Sequence, residues 1–303
     1  MRVVVSGATG LVGRAVVAAL AERGDEVTAL ARDPEAATRK LGTDAVVWDP
    51  VTVPPPADTL SGADAVVHLA GEPVSQRWNS EVKRRILESR EAGTRQLVTA
   101  IGALDASERP KTLVCASASG YYGPRGDEEL TESATPGDDF LAQVCIAWER
   151  EAEAATAHDV RRVSLRTGVV LSADGGALAK LLPPFKLGLG GPVAGGRQWM
   201  PWIHLDDVVA LYLRAIDDEG WSGGINASAP NPVRNADFSK ALGRALHRPA
   251  IAPVPGPAVR LLFGEMASII TTGQRQIPAY ATNADFAFAY PTLEPALSAC
   301  VQG

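Results

Sequence analysis

Gly7-Ala8-Thr9-Gly10-Leu11-Val12-Gly13 follows directly on the apolar run Val3-Val4-Val5. It leads into Leu11, Val12, Ala15, Val16, Ala19 and Leu20, an apolar stripe at helical spacing. Strand, glycine loop and helix, in that order, are what a dinucleotide site requires. Gly7 lets the chain turn out of the strand, Gly10 lets backbone approach a pyrophosphate, and Gly13 lets the helix lie close on the sheet. The helix start then offers unpaired N–H groups and partial positive charge to the phosphates, with Thr9, Leu11 and Val12 completing the cradle. The competing reading is a tight strand–helix turn with no ligand.

Outward from this loop, strand and helix patterns alternate. Strands are predicted at Val3–Ser6, Val27–Ala31, Val46–Trp48, Ala65–Leu69, Thr112–Ala116 and Arg162–Arg166, with helices over Leu11–Arg23, Ser80–Leu104 and Asp139–Ala157. Asn79 and Asp138 are the expected N-caps. The alternation predicts an α/β fold, a doubly wound parallel sheet of Rossmann type. Residues 1–171 form the expected cofactor domain, to which some later segments return. Residues 172–303 form a smaller substrate-side lobe. In that lobe Gly175-Gly176 and Gly188–Gly196 read as mobile loops, and Pro183-Pro184 separates two apolar pieces. Short helices are predicted at Leu205–Ala215, Ala236–Leu246 and Pro257–Thr271.

Composition excludes more than it assigns. Apolar residues make up 46% of 303, and 35 acidic against 29 basic side chains leave a net charge of -6. That balance gives no electrostatic footprint for nucleic acid or an anionic membrane. No apolar run reaches the ~18 residues a membrane span needs. Cys115, Cys145 and Cys300 are far apart, in no metal-ligand spacing, which fits a reducing compartment. The chain enters its first strand at Arg2, so no signal peptide is expected ahead of the fold, and the expected location is the cytoplasm. The expected partners are a small-molecule substrate and a second copy of the chain.

Arg32 ends the second strand, where an NAD site places a carboxylate on the ribose hydroxyls. An arginine there suits the 2′-phosphate of NADP(H), so NADP(H) is expected over NAD(H). Asp33 would reverse that choice if the strand ran one residue longer. Asp49 follows the third strand and either accepts from the adenine amine or closes a turn before Pro50. Leu69-Ala70-Gly71, with small residues at a strand's carboxyl end, reads as a cofactor wall. Ser117 and Arg166, at the ends of the fifth and sixth strands, are grouped with it.

The glycine triplet, His68-Leu69-Ala70-Gly71, Ser117-Ala118-Ser119-Gly120-Tyr121-Tyr122-Gly123 and Trp202-Ile203-His204-Leu205-Asp206-Asp207 together resemble extended or atypical short-chain dehydrogenase/reductases. The branch they resemble is the NAD-dependent, nucleoside-diphosphate-sugar epimerase/dehydratases. Glu72-Pro73, Arg77-Trp78, Cys145 with Trp148-Glu149, Leu187-Gly188-Leu189-Gly190-Gly191-Pro192 and Pro201-Trp202-Ile203-His204 are similar to a narrower "epimerase family protein" group. Arg260–Leu297 looks like that group's small C-terminal domain, at about 250–300, which has no assigned function.

The resemblance implies nicotinamide chemistry, with one departure. The superfamily's Tyr-x-x-x-Lys puts both side chains on one helix face, the lysine lowering the tyrosine pKa. Here the matching positions are Leu141 and Cys145, counting back from Glu149. Any proton donor must come from elsewhere, and Ser119, Tyr122 and Glu72 are the candidates, with Cys145 read as a small buried hydrophobe. Arg77, Trp78, Arg197, Trp202 and His204 would line a pocket for an anionic or sugar-nucleotide ligand; His204 also reads as a loop anchor. No metal is expected. Two readings stand: an NADP(H)-dependent oxidoreductase or epimerase-like enzyme, or a catalytically silent cofactor-binding sensor or scaffold.

Overall fold

The computed structural model describes residues 1–302. Seven strands form one parallel sheet: β1 (Arg2–Ser6), β2 (Glu26–Ala31), β3 (Asp44–Val47), β4 (Ala65–His68), β5 (Thr112–Ala118), β6 (Arg161–Thr167) and β7 (Gly223–Ala227). Their spatial order is β7-β6-β5-β4-β1-β2-β3. The order reverses beside β1, which pairs with both β2 and β4. That switch point opens a crevice at the carboxyl ends of the strands.

Period-two geometry explains how one apolar run covers two faces. Val3 and Val5 join the core beneath α1 (Leu11–Glu22), whereas Val4 joins the opposite core with Leu97, Ile101 and Leu113. Each such fully buried side chain contributes about 1.5–3 kcal/mol. The helices α2 (Pro34–Leu41), α3 (Ser80–Ala103) and α4 (Phe140–Glu153) complete the crossovers. Asn79 caps α3 as expected, its side chain accepting from the Val82 amide. The cap of α4 is Asp139 rather than Asp138, with the Ala142 amide donating to it at 2.8 Å. Helix α2 had its signals in the sequence: Asp33 as cap, Pro34 at the first turn, and Gly42 in the left-handed region at φ +69°.

The later chain departs from expectation in two places. Gly176–Lys186 is a helix, α5, with Pro183 and Pro184 inside it. Leu178, Leu182 and Phe185 bury one face in a second core, and the prolines lie on the solvent side. The predicted helix Pro257–Thr271 is broken. After α6 (Leu205–Asp217) and α7 (Asn235–Ala245), α8 (Gly256–Phe263) stops at Gly264, whose φ is +61°. A 3₁₀ turn and the one-turn helix Ala267–Thr271 follow. The last helix, α9 (Leu293–Gln302), closes the second core with Leu293 and Leu297. Residues 205–227 return to the sheet domain as α6 and β7, and α6 packs on α1. Among the described residues no helix is long and apolar enough to cross a membrane. All three cysteines are buried free thiols.

Candidate functional site

The glycine loop has the shape of a phosphate cradle. Gly7 stands at φ +68°, and a Cβ there would lie 2.6 Å from the Leu69 carbonyl carbon. A Cβ on Gly13 would lie 2.3 Å from the Gly7 carbonyl oxygen, so helix and loop touch backbone to backbone. Gly10 differs: its Cβ position meets only the Gly7 oxygen at 3.3 Å and otherwise faces open space. Gly10 N-caps α1 and no side chain caps the helix, so the first-turn amides at Leu11, Val12 and Gly13 are left for an outside acceptor. Uncapped donors behind a glycine that nothing crowds fit a pyrophosphate.

At the β2 side the register is settled. The strand ends at Ala31, Arg32 follows as an exposed side chain, and the Asp33 carboxylate is engaged by the Ala36 amide at 2.9 Å. Arg32 is the free charge at this strand end and Asp33 is a cap. Asp49 accepts from the Val51 amide at 3.1 Å, closing a turn. Lys40, which sequence reasoning missed, reaches back from α2 and donates to the Thr9 carbonyl at 2.9 Å. The glycine loop is thereby flanked by a second cation. Its signal in the sequence was the α2 helix itself.

At the β4–β5 side the structure corrects several assignments. Arg166 does not face the crevice. Its guanidinium is buried against Glu149, Nε to Oε1 at 2.9 Å and Nη2 to Oε2 at 2.8 Å. Ser117 donates to the same carboxylate at 2.7 Å, so its hydroxyl is spent inside the protein. Tyr122 is fully buried: its hydroxyl donates to Asn226 at 2.6 Å and accepts from Arg166 at 3.0 Å. Burial pushes the phenol pKa up to about 12. A phenol so held cannot hand a proton to a ligand in the crevice. The partner Asn226 comes from a distant chain position, which is why local reading did not find it. The Glu132 carboxylate accepts from the Asn226 and Tyr280 amides.

The helix face where a tyrosine and lysine would sit carries Leu141 and Cys145. Leu141 packs on the turn after β5, its Cβ 3.2 Å from where a Gly120 Cβ would be. Cys145 is buried, its thiol pushed up to about 12 by desolvation. Ser119, in the 3₁₀ turn Ser119–Tyr122, has a hydroxyl with no protein partner among the described residues. Glu72 accepts from Gln76 at 2.9 Å and lies 3.6 Å from Arg85.

The five residues expected to line one pocket do not come together. A cavity of about 680 Å³ lies between α3, α4 and the C-terminal segment, lined by Trp78, Lys83, Phe140, Leu141, Arg260 and Thr271 among others. Of the five, Trp78 lines it. Arg77 donates to the Leu261 and Leu262 carbonyls at 3.3 and 3.4 Å, tying its loop to α8. Arg197 is exposed, and its carbonyl accepts from Arg234. Trp202 is fully buried in the second core, its indole donating to the Asn231 carbonyl at 3.0 Å. Its ring therefore packs and does not line a pocket. His204 is the loop anchor: Nδ1 accepts from the Asp206 amide at 3.2 Å, starting α6, and the ring stacks on Tyr290 at 4.0 Å. Among the described residues no group of three His, Cys, Asp or Glu side chains could hold a metal ion.

Known proteins resemble this chain in sequence and fold. The sequence model of the NAD dependent epimerase/dehydratase family matches residues 3–226, and that of DUF1731, a domain of unknown function, matches residues 254–300. The chain is 39% identical over 305 residues to the chloroplastic epimerase family protein SDR39U1 homolog of Arabidopsis thaliana, covering 100% of this chain and 87% of that protein. It is 37% identical over 299 residues to epimerase family protein YfhF of Bacillus subtilis, covering 98% and 97%. The crystal structure of human epimerase family protein SDR39U1 (isoform2) with NADPH matches at a TM-score of 0.88 and 33% identity, with 100% of each chain covered. The chain belongs to the NAD dependent epimerase/dehydratase family.

Proposed function

We propose that this chain binds NADP(H) across the switch point and is an oxidoreductase or epimerase-like enzyme for a small polar substrate. The observation that carries the cofactor reading is the pairing at the end of β2. Arg32 is free and exposed, and Asp33 is consumed as a helix cap. A guanidinium there grips a 2′-phosphate, and the neighbouring carboxylate already has one oxygen engaged by the helix it caps. The human relative crystallised with NADPH supports the same reading.

In this reading Leu11, Val12 and Gly13 hold the pyrophosphate with backbone N–H groups, and Arg32 holds the 2′-phosphate. Leu69, Ala70 and Gly71 wall the crevice. The reduced nicotinamide supplies the hydride; the protein orients it and excludes water. In this reading Ser119, which carries the unengaged hydroxyl at the β5 end, hydrogen-bonds the substrate and relays a proton from water, a serine hydroxyl being too weak an acid to be the source itself. Leu141 and Cys145, neither able to move a proton near neutrality, favour a second reading, an NADP(H)-responsive binding protein without turnover. Calorimetry with NADPH and NADH tests the cofactor assignment, and equal affinities would overturn it. Loss of reduced-nicotinamide absorbance with a panel of aldehydes, ketones and quinones separates the two readings. Turnover with any of them supports the enzyme, and binding without turnover across the panel supports the silent protein.

A further inference from the structure

Two arginines lie beneath the β4–β5 end of the crevice, Arg166 buried and Arg90 partly buried, and their surroundings differ. Arg166 is satisfied by a bidentate carboxylate. Arg90, on α3, has no carboxylate bonded to it. Its Nη1 donates to the Glu72 and Ile86 carbonyls at 2.9 and 3.1 Å. Its guanidinium carbon lies 5.0 Å from the Trp148 ring centroid. Among the described residues its Nε and Nη2 have no hydrogen-bond partner, and neither atom is fully shut off from solvent.

A partly buried guanidinium whose unused donors still reach solvent is available to a ligand's acceptor oxygens. Gly71 supplies an independent observation. Its φ does not lie in the left-handed region, so the backbone does not require glycine there. A Cβ at Gly71 would stand 3.0 Å from the Arg90 guanidinium carbon and 3.2 Å from Nη2. The glycine makes room for the guanidinium directly behind the wall that follows β4. Cys145, on the neighbouring helix, is a buried thiol and supplies no cation there.

A dinucleotide with its 2′-phosphate at Arg32 and its pyrophosphate on α1 places its other nucleoside at β4 and β5. Nearest the pyrophosphate, the acceptors of that half are the ribose hydroxyl oxygens, with the carboxamide oxygen beyond them. We propose that Arg90 holds the nicotinamide ribose through Nε and Nη2, supplying from α3 the cation that α4 lacks at Cys145. This rests on the NADP(H) reading above.

The test is a pair of titrations on the full chain. NADPH carries the nicotinamide ribose; adenosine 2′,5′-bisphosphate carries the 2′-phosphate end alone. Arg90→Met is expected to weaken NADPH about tenfold or more and to leave the bisphosphate within about twofold. Equal weakening of both ligands, or of neither, overturns the proposal. If Arg90→Met does not fold, Arg90→Lys, which keeps charge but not the planar fork, decides it by the same selective loss. A parent protein that binds neither ligand refutes the cofactor reading itself; one that binds both while the variants show no selective loss refutes Arg90 alone.

Discussion

Glu149 and Arg166 form a two-pronged buried pair, with both side chains withdrawn from solvent and Ser117 and Tyr122 bonded to it. Breaking such a pair from one side leaves an unpaired charge in low dielectric, at a cost of about 3–5 kcal/mol. Glu149→Gln and Arg166→Met should each lose stability of that order in urea unfolding. The double variant should lose less than the sum. Additive losses would show that the two side chains are not coupled.

The cofactor preference depends on one side chain. Arg32→Asp should reverse the order of NADPH and NADH affinities, with NADPH weakened roughly ten- to a hundredfold, the loss of a charge-assisted bidentate contact. Lys40→Ala, which removes the ammonium at the Thr9 carbonyl, should weaken both cofactors. Calorimetric titration reads both effects. An unchanged preference in Arg32→Asp would place the 2′-phosphate elsewhere.

Gly10 and Gly13 should separate binding from folding. Gly10→Val puts a branched side chain into the space reserved for phosphate, so circular dichroism should stay native while cofactor fluorescence enhancement disappears. Gly13→Val drives its Cβ into the Gly7 carbonyl, where the nearest approach is already 2.3 Å, and should unfold the domain. Similar behaviour of the two variants would contradict the geometry.

His68 links stability to pH. It is fully buried, its Nδ1 lies 2.6 Å from Ser6 Oγ, and burial lowers its pKa from 6.5 to about 4. Below pH 6.5 the unfolded chain takes up a proton that the folded chain refuses. The stabilisation is complete above that pH and is lost as the pH falls toward about 4. The difference between the two pKa values corresponds to about 3 kcal/mol. His68→Asn should flatten the dependence of Tm on pH across this window; an equally steep slope in the variant would assign the effect to other groups.

The phenol of Tyr122 and the thiol of Cys145 should both be silent as acids. Cys145→Ala is expected to leave any turnover intact, because a thiol held near 12 is too weak an acid to give up its proton near neutrality. Tyr122→Phe should cost stability, about 1–3 kcal/mol for the stranded partners at Asn226 and Arg166, without altering the pH–rate profile. A shifted profile would return Tyr122 to the crevice.

The sequence by itself determined the parallel sheet, the glycine loop and the place of Arg32. These follow from periodicity and from conformational needs that only glycine meets, and both are local. It also showed that α4 lacks an acid–base pair. Local signals failed where packing outweighed them. Pro183 and Pro184 lie within α5 because Leu178, Leu182 and Phe185 bury the opposite face. The site's charged side chains depended on tertiary structure entirely. Arg166 and Arg90 have the same side chain, and their neighbours separate them. A carboxylate from α4 quenches Arg166, whereas Arg90 meets two carbonyls, an indole face and the gap left by Gly71. A guanidinium's availability depends on what long-range folding brings within hydrogen-bond reach, and the pattern of residues along the chain does not encode that distance.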